Sequence, residues 1–268
     1  MRKTLQRGLM LGMFLLSIVL KSSAYDFKVG DFYYSITDKA ASFVNVVAGE
    51  TKYAGNITIP ETVENGGVTY TVAGMGNSAF SECGGLISVT LNNNIRNISN
   101  NAFSGCEALE SVVLGSKVES FGYRAFDGCV KLKDINLNDN IISFSDYVFQ
   151  GCVSLSNVVI GKSVQSMGTG VFMDCTNITG VEIHDGATVI GSSAFAGCVE
   201  LQSVDIPNSV TSLGSSAFDG CKALTRASIG NSLKVVSNNA FYGCSKLSSV
   251  ILAEGLTGIG YDAFSGCS

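Results

Sequence analysis

The chain has 268 residues, with nine cysteines, one histidine, two prolines and no tryptophan. An odd cysteine count excludes a fully paired set of internal disulfides, and a single histidine excludes sites that need two, most zinc sites among them. Charged residues are only 15% and the net charge is −5, which is no footprint for nucleic acid; 46% hydrophobic residues exclude a disordered chain.

The N-terminus reads as a secretory signal peptide. Arg2, Lys3 and Arg7 form a basic start, Gly8 to Leu20 is apolar apart from Ser17, and Lys21-Ser22-Ser23-Ala24 offers small residues before a cut after Ala24. The apolar run is too short for a bilayer, which takes about 20 residues, and no later stretch is apolar enough to span one. Removal leaves 13 basic and 22 acidic residues, a net −9. Residues 25–56 follow, where Phe32 to Thr37 and Phe43 to Val47 read as strands of a small antiparallel cap. Residues 57–85 read as an atypical first coil. Ile57-Thr58-Ile59-Pro60 is its strand, and Glu64-Asn65-Gly66-Gly67-Val68-Thr69-Tyr70 is an inserted hairpin marked by Asn-Gly before an alternating run.

From Cys83 to Cys267 the cysteines recur every 23 residues, at 83, 106, 129, 152, 175, 198, 221, 244 and 267. A phenylalanine stands three before each, from Phe80 to Phe264. Three, six and eight residues after each cysteine, apolar residues recur again, as in Leu201, Val204 and Ile206. A fixed period of this length is the mark of a solenoid. V-x-L alternates with period two and predicts one short strand per unit. One strand cannot bury its face alone, so the units stack into a parallel sheet. Residues 86–268 make eight such repeats, the last truncated. At about 4.8 Å per strand, eight or nine coils give a rod about 40 Å long. Gly or Ser sixteen after each cysteine predicts a turn and an N-cap, and A-F-x-G-C predicts a helical turn on the outer side.

Three readings of the cysteine ladder compete. Ligands spaced 23 apart form a line rather than a tetrahedron, which disfavours metal. Disulfides between coils need Cβ atoms about 3.8 Å apart, closer than parallel side chains on stacked coils. Buried, unreactive thiols packing the coil interior are the favoured reading. His184 is read as a surface histidine at a strand end. Gly74-Met75-Gly76-Asn77-Ser78-Ala79 matches a loose dinucleotide fingerprint, but it falls in the same phase as Gly191-Ser192-Ser193-Ala194 and is read as repeat structure. After the ninth cysteine only Ser268 follows, which suggests a fragment of a longer reading frame, or a last coil covered by a partner.

The pattern Leu201 to Cys221, L-x-x-V-x-I-P-x-S-V-x-S-L-G-x-x-A-F-x-G-C, closely resembles the BspA-like leucine-rich repeat, and so does the layout upstream of it. The resemblance covers about Asp26 to Ser268. Glu82 and Asp174 depart from it, standing where the pattern has glycine before cysteine. It implies an α/β leucine-rich repeat solenoid with a parallel sheet on its concave face, short helical or 3-10 turns outside and a small antiparallel β cap. It implies further a secreted or cell-surface protein, linked in this family to adhesion.

Outward positions lie five and seven after each cysteine. They vary while the core columns do not, as in a solenoid that presents a binding surface; simple solvation explains them equally well. The residues singled out are Asp134, Asn136, Asn157, Glu182, Asp205 and Arg226, a polar and mildly acidic strip. The sequence therefore points to an exported, non-enzymatic protein without cofactor or metal. Its partner would be a protein, such as a host extracellular matrix protein or another cell-surface protein, and not nucleic acid. The alternative is a structural spacer segment of a larger surface protein.

Overall fold

The computed structural model describes residues 25–137 and 139–267, leaving out the side chain of Asp134, and the predicted signal peptide lies outside them. The described chain is built of strands and turns. The first three strands are β1 (Phe27–Val29), β2 (Phe32–Asp38) and β3 (Phe43–Val47). They form an antiparallel meander whose inward residues Tyr34, Val44 and Val46 are buried. Next come β4 (Ala54–Thr58), β5 (Thr62–Asn65) and β6 (Val68–Met75). Asn65 pairs with Val68 across a two-residue turn, with Gly66 and Gly67 at φ +60° and +79°. That backbone is the mirror-image turn that Asn-Gly favours, because glycine enters the left-handed region at no steric cost. β6 then adds in parallel to β3, so the hairpin and the meander share one sheet in the order β1-β2-β3-β6-β5.

Beyond the cap each coil contributes two strands. The first set is β7 (Gly85–Thr90), β9 (Ser111–Val113), β11 (Asp134–Ile135), β13 (Asn157–Ile160), β15 (Gly180–Ile183), β17 (Ser203–Ile206), β19 (Arg226–Ile229) and β21 (Ser249–Ile251). These pair in parallel, one repeat apart, in three separate groups: β4-β7-β9-β11, β13-β15 and β17-β19-β21, as in Val204 with Ala227. The second set starts at β8 (Asn97–Ile98) and runs through β10 (Ser120–Phe121), β12 (Ser143–Phe144), β14 (Ser166–Met167), β16 (Val189–Ile190) and β18 (Ser212–Leu213) as one six-stranded parallel sheet. β20 (Val235–Val236) and β22 (Gly258–Ile259) make a further pair.

The predicted helical or 3-10 turns on the outer side are not there: no helix occurs among the described residues. The reason lies in the backbone hydrogen bonds of A-F-x-G-C. Amides alternate between a turn bond and a bond to the next coil. Ala102 N–H donates to Ser99 O (3.1 Å), Phe103 to Ala125 O (2.8 Å), Ser104 to Asn101 O (3.2 Å) and Gly105 to Asp127 O (2.8 Å). Asn101 and Gly105 also stand at φ +53° and +72°. Two left-handed residues within five break any continuous right-handed helix. The outer side is therefore a third ladder between coils, made of turns.

With no helix there, the N-cap expected sixteen residues after each cysteine is absent too. That position is instead one where consecutive coils approach closely. A Cβ on Gly191 would stand 2.2 Å from Gly168 O. Where serine occupies the column, its hydroxyl bonds back to the preceding coil, as Ser99 does to Met75 O (2.6 Å).

The core is a set of one-residue-wide columns. Phe80, Phe103, Phe126, Phe149, Phe172, Phe195, Phe218 and Phe241 are fully buried, and their rings stack in near-parallel planes with centroids 5.0–5.4 Å apart. That offset arrangement is favourable between aromatic quadrupoles. Tyr53 of the cap closes the stack against Phe80 at 4.7 Å.

All nine cysteines are free, eight buried and Cys267 half-buried. Each thiol from Cys106 onward donates to the carbonyl of the phenylalanine in the coil before it, as Cys175 does to Phe149 O (3.0 Å). A small apolar residue would fill the space, but only cysteine adds that donor. Burial pushes the thiols of Cys129 and Cys198 up to about 12, and those of Cys152 and Cys175 well above the ordinary 9.0.

Candidate functional site

The outward face of the first strand set is made by the same alternation that builds the core. In β17, Val204 and Ile206 are buried while Ser203 and Asp205 are exposed; in β13, Val158 and Ile160 are buried while Asn157 and Val159 are exposed. Parallel pairing at a constant offset then aligns outward residues into two columns. Ser203 stands beside Arg226, Asp205 beside Ser228, Asn157 beside Gly180 and Val159 beside Glu182.

Of the six residues singled out from the sequence, two meet. Arg226 and Asp205 form a two-pronged ion pair, Nη2 to Oδ1 at 3.0 Å and Nη1 to Oδ2 at 3.4 Å, diagonally across β17 and β19. Glu182 is taken by His184, Nε2 to Oε1 at 2.7 Å, just past the end of β15. Asn157 and Asn136 are exposed on their own coils. Asp134 lies in β11 beside Ser111, its side chain outside the described residues. Asn157, Glu182, Asp205 and Arg226 thus lie on the outward side of their strands but do not converge on one point. Among the described residues, no group of three His, Cys, Asp or Glu could hold a metal ion.

The polar selection passed over apolar residues on the same face. Val113, Val159 and Ile251 are 58%, 47% and 53% exposed in the second column. Their signal was present: each occupies a position seven after a cysteine, where a structural role would not keep it outward. The surface is consequently mixed, with single exposed aliphatic side chains spread along it: Val113 in β9, Val159 in β13 beside Glu182, and Ile251 in β21 beyond the ion pair.

Comparison with known proteins places the chain. The model of the BspA-type leucine rich repeat region matches in six copies, over residues 51–179 and 167–268. No curated protein matches the chain. Several solved structures share the fold. A leucine rich cell surface protein from Faecalibacterium prausnitzii A2-165 is 23% identical, over 90% of this chain and 86% of its own, with a TM-score of 0.57. A leucine-rich repeat protein from T. pallidum is 24% identical over 90% and 89%, with a TM-score of 0.50. One from Bacteroides ovatus ATCC 8483 is 22% identical over 91% and 80%, also with a TM-score of 0.50.

Proposed function

The chain belongs to the BspA-type leucine-rich repeat family, and we propose that it is an exported, cell-surface protein that binds a protein partner through the outward face of its first strand set. The observation that carries this is the contrast between columns. Inward positions are apolar in every coil, whereas outward ones hold Asn157, Glu182, Asp205, Arg226 and three exposed aliphatics on a backbone held by ladders. Exposed aliphatic groups within a polar frame are the makeup of a protein-binding surface, and a rigid scaffold loses little entropy on binding. Export rests on the signal-like residues 1–24, and the neighbour from Faecalibacterium prausnitzii is itself described as a cell surface protein. The face carries exposed polar and aliphatic side chains suited to contact, and binding without chemistry is the function proposed.

The test is a pull-down of extracellular matrix and cell-surface proteins with the full chain, set against the D134A/E182A/D205A variant and a V113S/V159S/I251S variant. Glu182, Asp205, Val113, Val159 and Ile251 are exposed, so both variants should melt near the wild type. A partner retained by the wild type and lost by either variant supports the reading. Equal capture by all three chains, or none by any, leaves the spacer role, which the unbroken phenylalanine stack and backbone ladders would serve.

A further inference from the structure

A cleft of about 480 Å³ opens between the cap and the second strand set, and no residue of the first strand set lines it. Phe43 and Asn45 of β3 and Thr71 of β6 form one wall; Asn94, Arg96 and Lys117 of the first two coils form the other. Phe43 and Asn45 project here because they alternate with the buried Val44 and Val46. The phenylalanine ring is 40% exposed at the mouth.

Two features mark the cleft as built rather than incidental. The first is a β-bulge. The register of β3 on β6 slips between Val44 and Asn45, so that Val44 faces Val72 but Asn45 faces Gly74, with Ala73 as the extra residue. Bulges of this kind re-aim side chains. A Cβ on Gly74 would stand 2.7 Å from Asn45 Oδ1, so glycine there leaves the amide in place. The second is a set of polar groups without protein partners. Among the described residues, the side chains of Asn45, Thr71, Asn94 and Lys117 make no hydrogen bond or ion pair.

The charge of the cleft runs against that of the molecule. The chain is acidic overall, yet no carboxylate lines this cleft. Arg96 is held by Glu119, Nη1 to Oε1 at 2.5 Å, which leaves Lys117 as the uncompensated cation. A phosphate is best met by a guanidinium fork or a nest of backbone amides, and the charge of the one guanidinium here is already compensated by Glu119 through Nη1. A sugar ring fits better. It offers an apolar C–H face to Phe43 and hydroxyls that both donate and accept, which amides and a threonine hydroxyl match. Lys117 adds a point charge for one carboxylate.

We propose that this cleft binds a single acidic sugar residue, a uronic acid or its like, with the ring against Phe43, the hydroxyls on Asn45, Thr71 and Asn94, and the carboxylate at Lys117. The site is independent of the protein-binding face.

Saturation-transfer NMR and titration calorimetry on the full chain would test it, with methyl β-glucuronide as probe and methyl β-glucoside and acetate as controls. The glucuronide should bind about two- to fivefold tighter than the glucoside, the order expected of one exposed charge contact added to ring contacts, and tighter than acetate, which lacks the ring. Lys117→Gln should remove that margin and leave the glucoside as it was. Lys117 is exposed, so this variant should fold, and a thermal melt checks it. Gly74→Ala should weaken both sugars by displacing Asn45; if it fails to fold, Lys117→Gln alone decides. Absence of saturation transfer to either sugar would overturn the proposal, as would equal binding of glucuronide and glucoside, acetate binding as well as the glucuronide, or an unchanged margin in Lys117→Gln.

Discussion

The cysteine columns should make this fold sensitive to alkali. Four interior thiols, Cys129, Cys152, Cys175 and Cys198, are raised above the ordinary 9.0 by burial, two of them to about 12. In the unfolded chain thiols ionise near pH ~8.5–9. A raised folded value means that the native state keeps its proton where the unfolded chain has released it. Stability from these groups is therefore intact below about pH 9 and is lost as the pH rises toward 12. Between pH 8 and 10 each such thiol costs about 1.4 kcal/mol, a figure set by the unfolded thiol and so common to all four. Together they cost about 5–6 kcal/mol, comparable to the whole stability of an ordinary domain. Tyr34 and Tyr53, pushed up to about 12 by burial, add little until the pH passes their ordinary 10.0. The assay is urea unfolding followed by circular dichroism at pH 8, 9 and 10 with reductant present. The midpoint should fall along the series. In a C152A/C175A chain, whatever its starting stability, the loss over the same interval should be smaller by about 3 kcal/mol. A midpoint that does not move, or an equal loss in the double variant, would refute burial of these thiols as hydrogen-bonded neutral groups.

Asn92, 6% exposed, ties the cap to the first coils through Nδ2 to Pro60 O (2.6 Å) and Val72 O (3.2 Å), and its Oδ1 accepts from Asn94 N–H (2.8 Å). Asn92→Ala should cost about 2–3 kcal/mol by leaving buried carbonyls unpaired, seen as faster hydrogen exchange in β6 before the later coils respond. Phe195→Ala, in the middle of the ring stack, should cost about 3–5 kcal/mol, and its thermal transition should broaden as coupling between the two halves of the rod weakens. Glu82 holds φ +57° without being glycine, and its carboxylate is 3.9 Å from Lys52 Nζ at an exposed site. Glu82→Gly should therefore stabilise by about 0.5–1 kcal/mol in a melt, the relief of left-handed strain less the entropy glycine adds to the unfolded chain. A double-mutant cycle on Asp205 and Arg226, both exposed, should return about 0–1 kcal/mol of coupling; a larger value would mean that the strand face is less open to solvent than its exposure indicates.

What the sequence revealed of the fold, it revealed through repetition. A column of eight or nine identical side chains has one explanation, stacking, and Phe80 to Phe264 could be assigned to the interior from the period alone. The outer turns are not helical although A-F-x-G-C satisfies helical preferences locally. What overrides them is a bond from Phe103 N–H to Ala125 O, twenty-two residues away, and no local preference encodes that. The same long-range register explains the cysteines. Their burial followed from the pattern, but their reason for being cysteine, a thiol bonded to the preceding coil's phenylalanine carbonyl, needed the coils placed on one another.

Sites are harder to read than cores in a repeat protein because selection for packing leaves a period and selection for binding breaks it. Asp205 and Arg226 stand 21 residues apart, which is the repeat less two. In a parallel sheet with a 23-residue register that spacing is a diagonal contact between neighbouring strands, so opposite charges 21 apart on outward columns are a usable signal for pairing. It also subtracts: a carboxylate already held by a guanidinium is less free for a partner, which shifts weight on this face toward Asn157 and the exposed aliphatics. The cap cleft has no such rule. β3 joins β6 once, with one bulge, and Lys117 reaches the cleft from another coil. A site assembled where the repeat begins draws on contacts that occur only once, and a single sequence holds no second copy against which to recognise them.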